Sequence, residues 1–392
     1  MSTLPNLLRS RASHARVTNV ELFFDLVFVF AVTQLSHTLL EHLGLLGALE
    51  TGFLLLAVWW VWVYTSWVTN WIDPDKSAVR LLMFALMLAG LLMSAAIPKA
   101  FEHEGLLFAS AYVFIQLVRT AFMLYAVRRH DLLNYRNFLR IFAWLVVAAA
   151  FWIAGGFNHD GVRAGLWIAA LTIEIVGPTV GFYTPGMGRS TTADWKVDGT
   201  HMAERCSLFV IIALGESILV TGATAAAQPA TTSAICAFVV AFLGSVAMWW
   251  IYFNIGAERG SHHIAHSDDP GRLARAVYTY FHIPIIAGIV VCAVADELTI
   301  AHPTGHVTLA DACVMLGGPA LYLLGNVFFK RASAKYYPLS HLVGLGLLVI
   351  AAPFALHLTP LALGAATTGV LVLVAVWETR SFAKGQGAVA RE

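Results

Sequence analysis

The stretch Val20-Glu21-Leu22-Phe23-Phe24-Asp25-Leu26-Val27-Phe28-Val29-Phe30 decides the fold class. It opens an apolar run over 19–40, and a bilayer core of ~30 Å takes about 20 such residues as a helix. The run shows no strict alternation, so it reads as a helix and not as a barrel strand. Further runs of this kind follow at 49–70, 78–98, 106–127, 137–156, 164–183, 203–223, 232–255, 273–295, 308–329, 338–357 and 360–379. Composition agrees: 12% of the 392 residues are charged and 59% hydrophobic, with a mean hydropathy of +0.74. A soluble domain carries about 25% charged residues. Half that charge cannot cover a soluble globule, so lipid must solvate most of the outside. The expected fold is all-α, a polytopic transmembrane bundle of about twelve helices.

Charge placement gives the expected orientation. With the N-terminus in the cytoplasm, the inside segments hold 21 of the 24 Lys and Arg residues, as the positive-inside rule requires. The outside loops hold Lys99 and Arg163, and Arg119 falls within helix 4. An odd helix count would scramble this split, so both ends are expected in the cytoplasm. Trp67, Trp71, Trp195, Tyr336 and Tyr337 stand at run ends, where interfacial aromatics belong. The first residues are polar and basic, and no small-residue cleavage site follows the first run. Cys206, Cys236, Cys292 and Cys313 lie in or near apolar runs without CxxC spacing. They read as buried small hydrophobes, neither disulfides nor metal ligands. A net charge of +1 suggests no nucleic-acid partner.

The two halves match in order. Ala57-Val58-Trp59-Trp60-Val61-Trp62 parallels Ala247-Met248-Trp249-Trp250-Ile251-Tyr252, and Ala89-Gly90-Leu91-Leu92 parallels Ala287-Gly288-Ile289-Val290. Helices 4 and 10 both end in a basic pair, Arg128-Arg129 and Lys330-Arg331. The expected organisation is an arm (1–18), a first six-helix repeat (19–183), a linker loop (184–202), a second repeat (203–379) and a tail (380–392). An even number of helices per repeat makes the two repeats parallel, with helices 1 and 7 near the shared axis.

Ionisable residues in a membrane are costly and commonly face a bundle interior or a water-filled path. Glu21 and Asp25 are four apart on one face of helix 1. The helix macrodipole accounts well for Glu21 and less well for Asp25, which Phe23, Phe24 and Phe28 surround. In helix 7, Glu204 and Arg205 read as an interfacial pair, while Glu216 and Ser217 lie deep in the run. Glu216 is the leading candidate for a functional acid. Arg119 requires a buried acid, and Glu174 or Glu216 could supply it. His282 precedes Pro284, which frees a backbone carbonyl; it reads as a hydrogen-bonded structural histidine or a proton-responsive one. His262-His263-Ile264-Ala265-His266 reads as a solvated loop and not a metal site. There is no Walker loop, no GxSxG elbow and no HExxH, and no cofactor is expected.

The run from Glu21 to Val29, the segment Leu208–Ser217 with Ala213-Leu214-Gly215-Glu216-Ser217, and the segment from Asp268-Asp269-Pro270-Gly271-Arg272 to His282-Ile283-Pro284 resemble the bacterial low-temperature-requirement protein A family. The resemblance covers nearly the whole chain. It implies a multi-pass protein of the bacterial inner membrane associated with growth in the cold, and it brings no agreed substrate. Helix 1 also resembles, more weakly, the lysosomal potassium channels, where Phe-Ser-Asp opens the first helix of each six-helix repeat. Here Phe24 replaces that Ser, and Ser207-Leu208 stands where the second Asp would be, which points away from channel function.

The leading expectation is therefore a transporter or channel for an ion or small solute, embedded in lipid and compatible with a homo-oligomer. Asp25, Glu216, Glu21, Ser217 and His282 would line the path, and Arg119, Glu174, Glu204 and Arg205 would be buried charge partners. Two alternatives stand beside it. One is a membrane-embedded enzyme on a lipid-type substrate, using Glu216, His282 or the histidine loop. The other is a non-catalytic membrane stress factor whose charges only hold helices together.

Overall fold

A computed structural model describes residues 6–9, 16–191, 198–254, 273, 275–334 and 337–389. Among these are twelve α-helices: α1 (Asn19–Glu41), α2 (Leu45–Thr69), α3 (Ser77–Ala95), α4 (Gly105–Val127), α5 (Leu132–Phe157), α6 (Asp160–Val176), α7 (Gly199–Ala227), α8 (Thr232–Phe253), α9 (His282–Ala301), α10 (Leu309–Ala334), α11 (Leu339–Ala351) and α12 (Pro360–Val389). Eleven helical spans are long and apolar enough to cross a membrane. The exception, α6, has 17 residues, or ~26 Å at ~1.5 Å per residue. The bundle is the polytopic all-α fold that hydropathy predicts.

Local chemistry sets the ends. Asp131 caps α5 by accepting the Asn134 backbone N–H at 3.1 Å, so this helix starts five residues before the apolar run. Thr231 caps α8 in the same way through Ala234. Helix α6 stops before Gly177-Pro178, although apolar residues continue to 183. Proline lacks the donor needed to extend the ladder, and the chain then turns through Gly181 at φ +64°. Before α9, Arg275–Tyr280 forms a π-helical turn.

The chain divides into two compact units. One comprises Met1–Leu35, Phe53–Arg205 and Asp268–Arg272; the other comprises Ser36–Gly52, Cys206–Ser267 and Leu273–Glu392. In the first unit α3 packs on α4, α4 on α5 and α5 on α6. Trp59, Trp60 and Trp62 of α2 are fully buried there. Phe53, Phe108, Tyr112, Trp152 and Trp167 form an aromatic cluster, with Phe53 and Trp167 stacked at 6.2 Å. Arg163, read from sequence as an outside-loop charge, is 1% exposed. Its guanidinium donates to the carbonyls of Ala100 (2.8 Å), Glu102 and Asn158 (2.9 Å), tying the ends of α3 to α6 together.

In the second unit α9 packs on α10, α10 on α11 and α11 on α12, while α8 contacts both α9 and α12. Glycines bring α9 and α10 to backbone contact. A Cβ on Gly288 would lie 2.5 Å from the Tyr322 nitrogen, and one on Gly325 would lie 2.7 Å from the Ile285 nitrogen. Small residues serve this purpose in membranes, where packing replaces the hydrophobic drive between helices. Gly288→Leu is expected to lower stability by about 1–3 kcal/mol, the usual cost of overpacking. Thermal unfolding in detergent beside the exposed control Leu219→Ala checks it.

Large apolar side chains such as Leu88, Leu219 and Val349 face outward, as lipid-solvated residues do. Two cysteines depart from the sequence reading: Cys206 and Cys292 are buried, but Cys236 and Cys313 are exposed on helix faces. Apolar runs place a residue in the membrane without saying whether protein or lipid covers it. Likewise Trp71 is buried and Tyr337 is exposed; Trp195 and Tyr336 lie outside the described residues.

Candidate functional site

Three segments within the first unit each contribute a pair of polar residues four apart: Glu21 and Asp25 on α1, Ser66 in the last turn of α2 with Asn70 just past its end, and His201 and Arg205 in the first turns of α7. A spacing of four puts each pair on one helix face, ~6 Å apart along the axis. The pairs meet as two stacked layers.

The deeper layer centres on Asp25 and Arg205, both 0% exposed. Arg205 Nη2 donates to Asp25 Oδ1 at 2.7 Å and to Ser66 Oγ at 3.2 Å. Trp62 Nε1 donates to the same Asp25 oxygen at 2.8 Å, and the guanidinium carbon lies 5.6 Å from the Trp62 ring centre. Among the described residues, Asp25 Oδ2, Arg205 Nε and Arg205 Nη1 have no hydrogen-bond partner.

The outer layer is more fully matched. Glu21 Oε2 accepts from Arg9 Nη2 (2.8 Å), from the Thr18 N–H (2.9 Å) and from the Thr18 hydroxyl (3.0 Å). The Glu21 N–H points back to Thr18 Oγ1 at 3.4 Å, completing a capping box. Glu21 Oε1 lies 2.8 Å from His201 Nε2. Asn70 fixes the histidine tautomer. Its Oδ1 accepts the Asp198 N–H (3.0 Å) and its Nδ2 donates to the Asp198 carbonyl (2.9 Å), so it is Nδ2 that faces His201 Nδ1 at 3.2 Å. Nδ1 therefore accepts, and Nε2 carries the proton given to Glu21. Arg9 closes this end: its Nε donates to the Thr69 and Ile72 carbonyls, and Leu8 bridges Ile72.

Other predicted residues find different roles. Arg119 reaches Glu174 through Gln116, whose Oε1 accepts from Arg119 Nη2 and whose Nε2 donates to Glu174 at 2.5 Å. Glu174 also accepts from Tyr112 (2.8 Å) and Trp152 (2.9 Å). Glu216, the other suggested partner for Arg119, is 4% exposed and makes no hydrogen bond or ion pair with a described residue. The neighbouring Ser217 Oγ is also unmatched among the described residues. His282 is held at both nitrogens: Nδ1 donates to the Val277 carbonyl and Nε2 faces the Tyr252 hydroxyl, both at 2.8 Å. This is the hydrogen-bonded structural arrangement.

One expected buried partner is not buried. Glu204 is exposed and accepts from the Val17 N–H at 3.3 Å. Adjacent helical residues point ~100° apart, so Arg205 faces inward to Asp25 while Glu204 turns away. The sequence reading also missed a second buried ion pair. Lys330 Nζ lies 2.6 and 2.7 Å from the two Glu378 oxygens and 3.0 Å from the Ile251 carbonyl, with His341 Nε2 at 3.3 Å. Its one sequence signal was Glu378 within the apolar end of the last run. The signals for the outer layer were Thr18-x-x-Glu21 and the four-residue spacing of His201 and Arg205. The histidine loop at 262–266 lies outside the described residues.

Buried ion pairs inside apolar helices define the class: a multi-pass α-helical membrane protein with a charged interior. The chain matches the model of the bacterial low temperature requirement A protein (LtrA) over residues 16–376, and it belongs to that family. It is 41% identical over 372 residues to an uncharacterized protein of Rhizobium meliloti (strain 1021), covering 95% of this chain and 91% of the relative. No solved structure matches it.

Proposed function

We propose that this protein is a transporter or channel for an ion or small solute, with its route along α1 and α7. The observation that carries the reading is the buried cluster of the first unit. Asp25 and Arg205 sit in apolar surroundings with three polar atoms unmatched among the described residues, and such atoms are costly unless something visits them. Glu216 adds support as a buried acid on α7 with no partner among the described residues. In this reading Asp25 and Glu216 line the route, and the Arg119–Gln116–Glu174 group holds helices.

The reading includes a two-repeat architecture. Val61 and Ile251 are equivalent in the paired Trp-Trp motifs. Each offers its carbonyl to a buried cation of its own half's fourth helix, Arg119 at 3.3 Å and Lys330 at 3.0 Å. It also places both termini in the cytoplasm of a bacterial inner membrane. Arg163, Arg205, Lys330 and Arg119 are buried, so they do not count as free loop charges. Setting them aside leaves Lys99 alone against the remaining basic residues, which strengthens the positive-inside assignment.

The test is flux in proteoliposomes, with pH and potential dyes under K⁺, Na⁺, H⁺ and Cl⁻ gradients. Wild type should conduct, and Asp25→Asn or Glu216→Gln should lose most of that flux while remaining folded. Equal flux in wild type and both variants would remove these acids from the mechanism. Silence of folded wild type throughout would turn the argument toward an enzyme, to be pursued through co-purifying lipid.

A further inference from the structure

We infer that Arg205 is the binding residue for a small oxyanion, so that the solute of the α1–α7 route is an anion. The inference rests on the transport reading for its biological sense, but the site itself stands on its own geometry. An arginine carries five N–H donors and no acceptor. Arg205 uses Nη2 for Asp25 and Ser66. Its Nε–H and both Nη1 hydrogens are unmatched among the described residues, although the side chain is completely buried.

The charges of the site balance, so the unmatched atoms point to the sign of the ligand. The carboxylates of Glu21 and Asp25 are offset by the guanidiniums of Arg9 and Arg205 at 2.8 and 2.7 Å, and the hydrogen bonding of His201 is that of a neutral ring. An arriving cation would find a single unmatched oxygen, Asp25 Oδ2, on a carboxylate already paired to a guanidinium. An arriving anion would find three unmatched donors. These donors lie in one plane but on different edges of it: Nη1 offers two and Nε one, and each edge is shared with the Nη2 that Asp25 and Ser66 occupy, so an oxyanion binds at Nη1 or at Nε, beside the oxygen already held there. The guanidinium is also weakly hydrated for a cation and so loses less on entering a dry site. Trp62, below the guanidinium and bonded to Asp25, holds the pair in position. An oxyanion that keeps a hydroxyl, as bicarbonate does, would in addition donate to Asp25 Oδ2.

The experiment measures binding apart from flux. Purified full-length protein in detergent is titrated with formate, bicarbonate and phosphate at constant ionic strength in chloride, and thermal unfolding is followed. A saturable rise of the midpoint for at least one oxyanion is expected, since a ligand that binds only the folded state stabilises it. Arg205→Lys, which keeps the charge but loses the planar donors, should weaken that oxyanion by about tenfold or more. The double variant Asp25→Asn/Arg205→Gln, which keeps the site neutral and hydrogen-bonding, should abolish the rise. No oxyanion response in folded wild type, or an equal response in the double variant, overturns the inference. The two readings fail separately. Oxyanion binding without flux of that same oxyanion into proteoliposomes would keep the site and sink transport. Cation flux without oxyanion binding would keep transport and sink the anion.

Discussion

Asp25→Ala is expected to destabilise the protein by about 3–5 kcal/mol, the cost of leaving a buried charge without its partner. Arg205 is fully buried, and among the described residues the Asp25 oxygen at 2.7 Å is its one ion-pair contact. Removing the carboxylate also takes away the oxygen to which the Trp62 indole N–H donates. Detergent unfolding of single and double variants separates these causes. Asp25→Ala/Arg205→Met removes both charges, so it should recover much of the loss, because an apolar pair of similar volume is often neutral or better. The non-additivity between the single and double variants measures the pair itself. A loss under 1 kcal/mol in Asp25→Ala would mean that water or another group already compensates Arg205. The ion pair would then not be what holds α1 to α7. Asp25→Asn is the gentler change, because its amide oxygen can still accept from Trp62 and Arg205, which is why it is the variant suited to flux.

The membrane helices were legible because bilayer thickness imposes a length that hydropathy can count. Run 106–127 became Gly105–Val127 and run 232–255 became Thr232–Phe253. The errors fall where something other than hydropathy acts. Asp131 caps α5 upstream, Gly177-Pro178 ends α6 early, and α12 continues to Val389, well past its apolar part. The candidate site was half legible. The spacing of Glu21 and Asp25 predicts one face, and one face is what they share. His201 lay in the segment read as linker, where hydropathy has no signal, and Arg9 lay in the arm. Partner choice was not legible, because helix-to-helix contact decides it. Sequence proximity suggests Glu204 for Arg205, but the helical turn gives it Asp25. Charge alone suggests a direct Arg119–Glu174 pair, but Gln116 stands between them.

Lys330 and Glu378 allow the second strong expectation and test what such pairs are for. Glu378→Ala should cost about 3–5 kcal/mol, because Lys330 is 2% exposed and would keep, among the described residues, the Ile251 carbonyl and His341. Lys330→Met/Glu378→Leu should come close to wild-type stability in the same unfolding assay, since neither side chain then leaves a charge in the interior. This cluster differs from the Asp25–Arg205 layer in a way that separates structure from function. The Lys330 ammonium has three N–H donors, and it meets both Glu378 oxygens and one carbonyl, so nothing is left over for a visiting solute. Arg205 has three donors unmatched among the described residues. The apolar double variant at Lys330 and Glu378 should therefore keep flux, whereas Asp25→Ala/Arg205→Met should lose it at comparable stability. If both double variants lose flux equally, the distinction between matched and unmatched buried pairs fails. The function then depends on the integrity of the whole bundle, as a non-catalytic membrane factor would require. If only the Asp25–Arg205 variant loses it, the unmatched donors are what the solute uses.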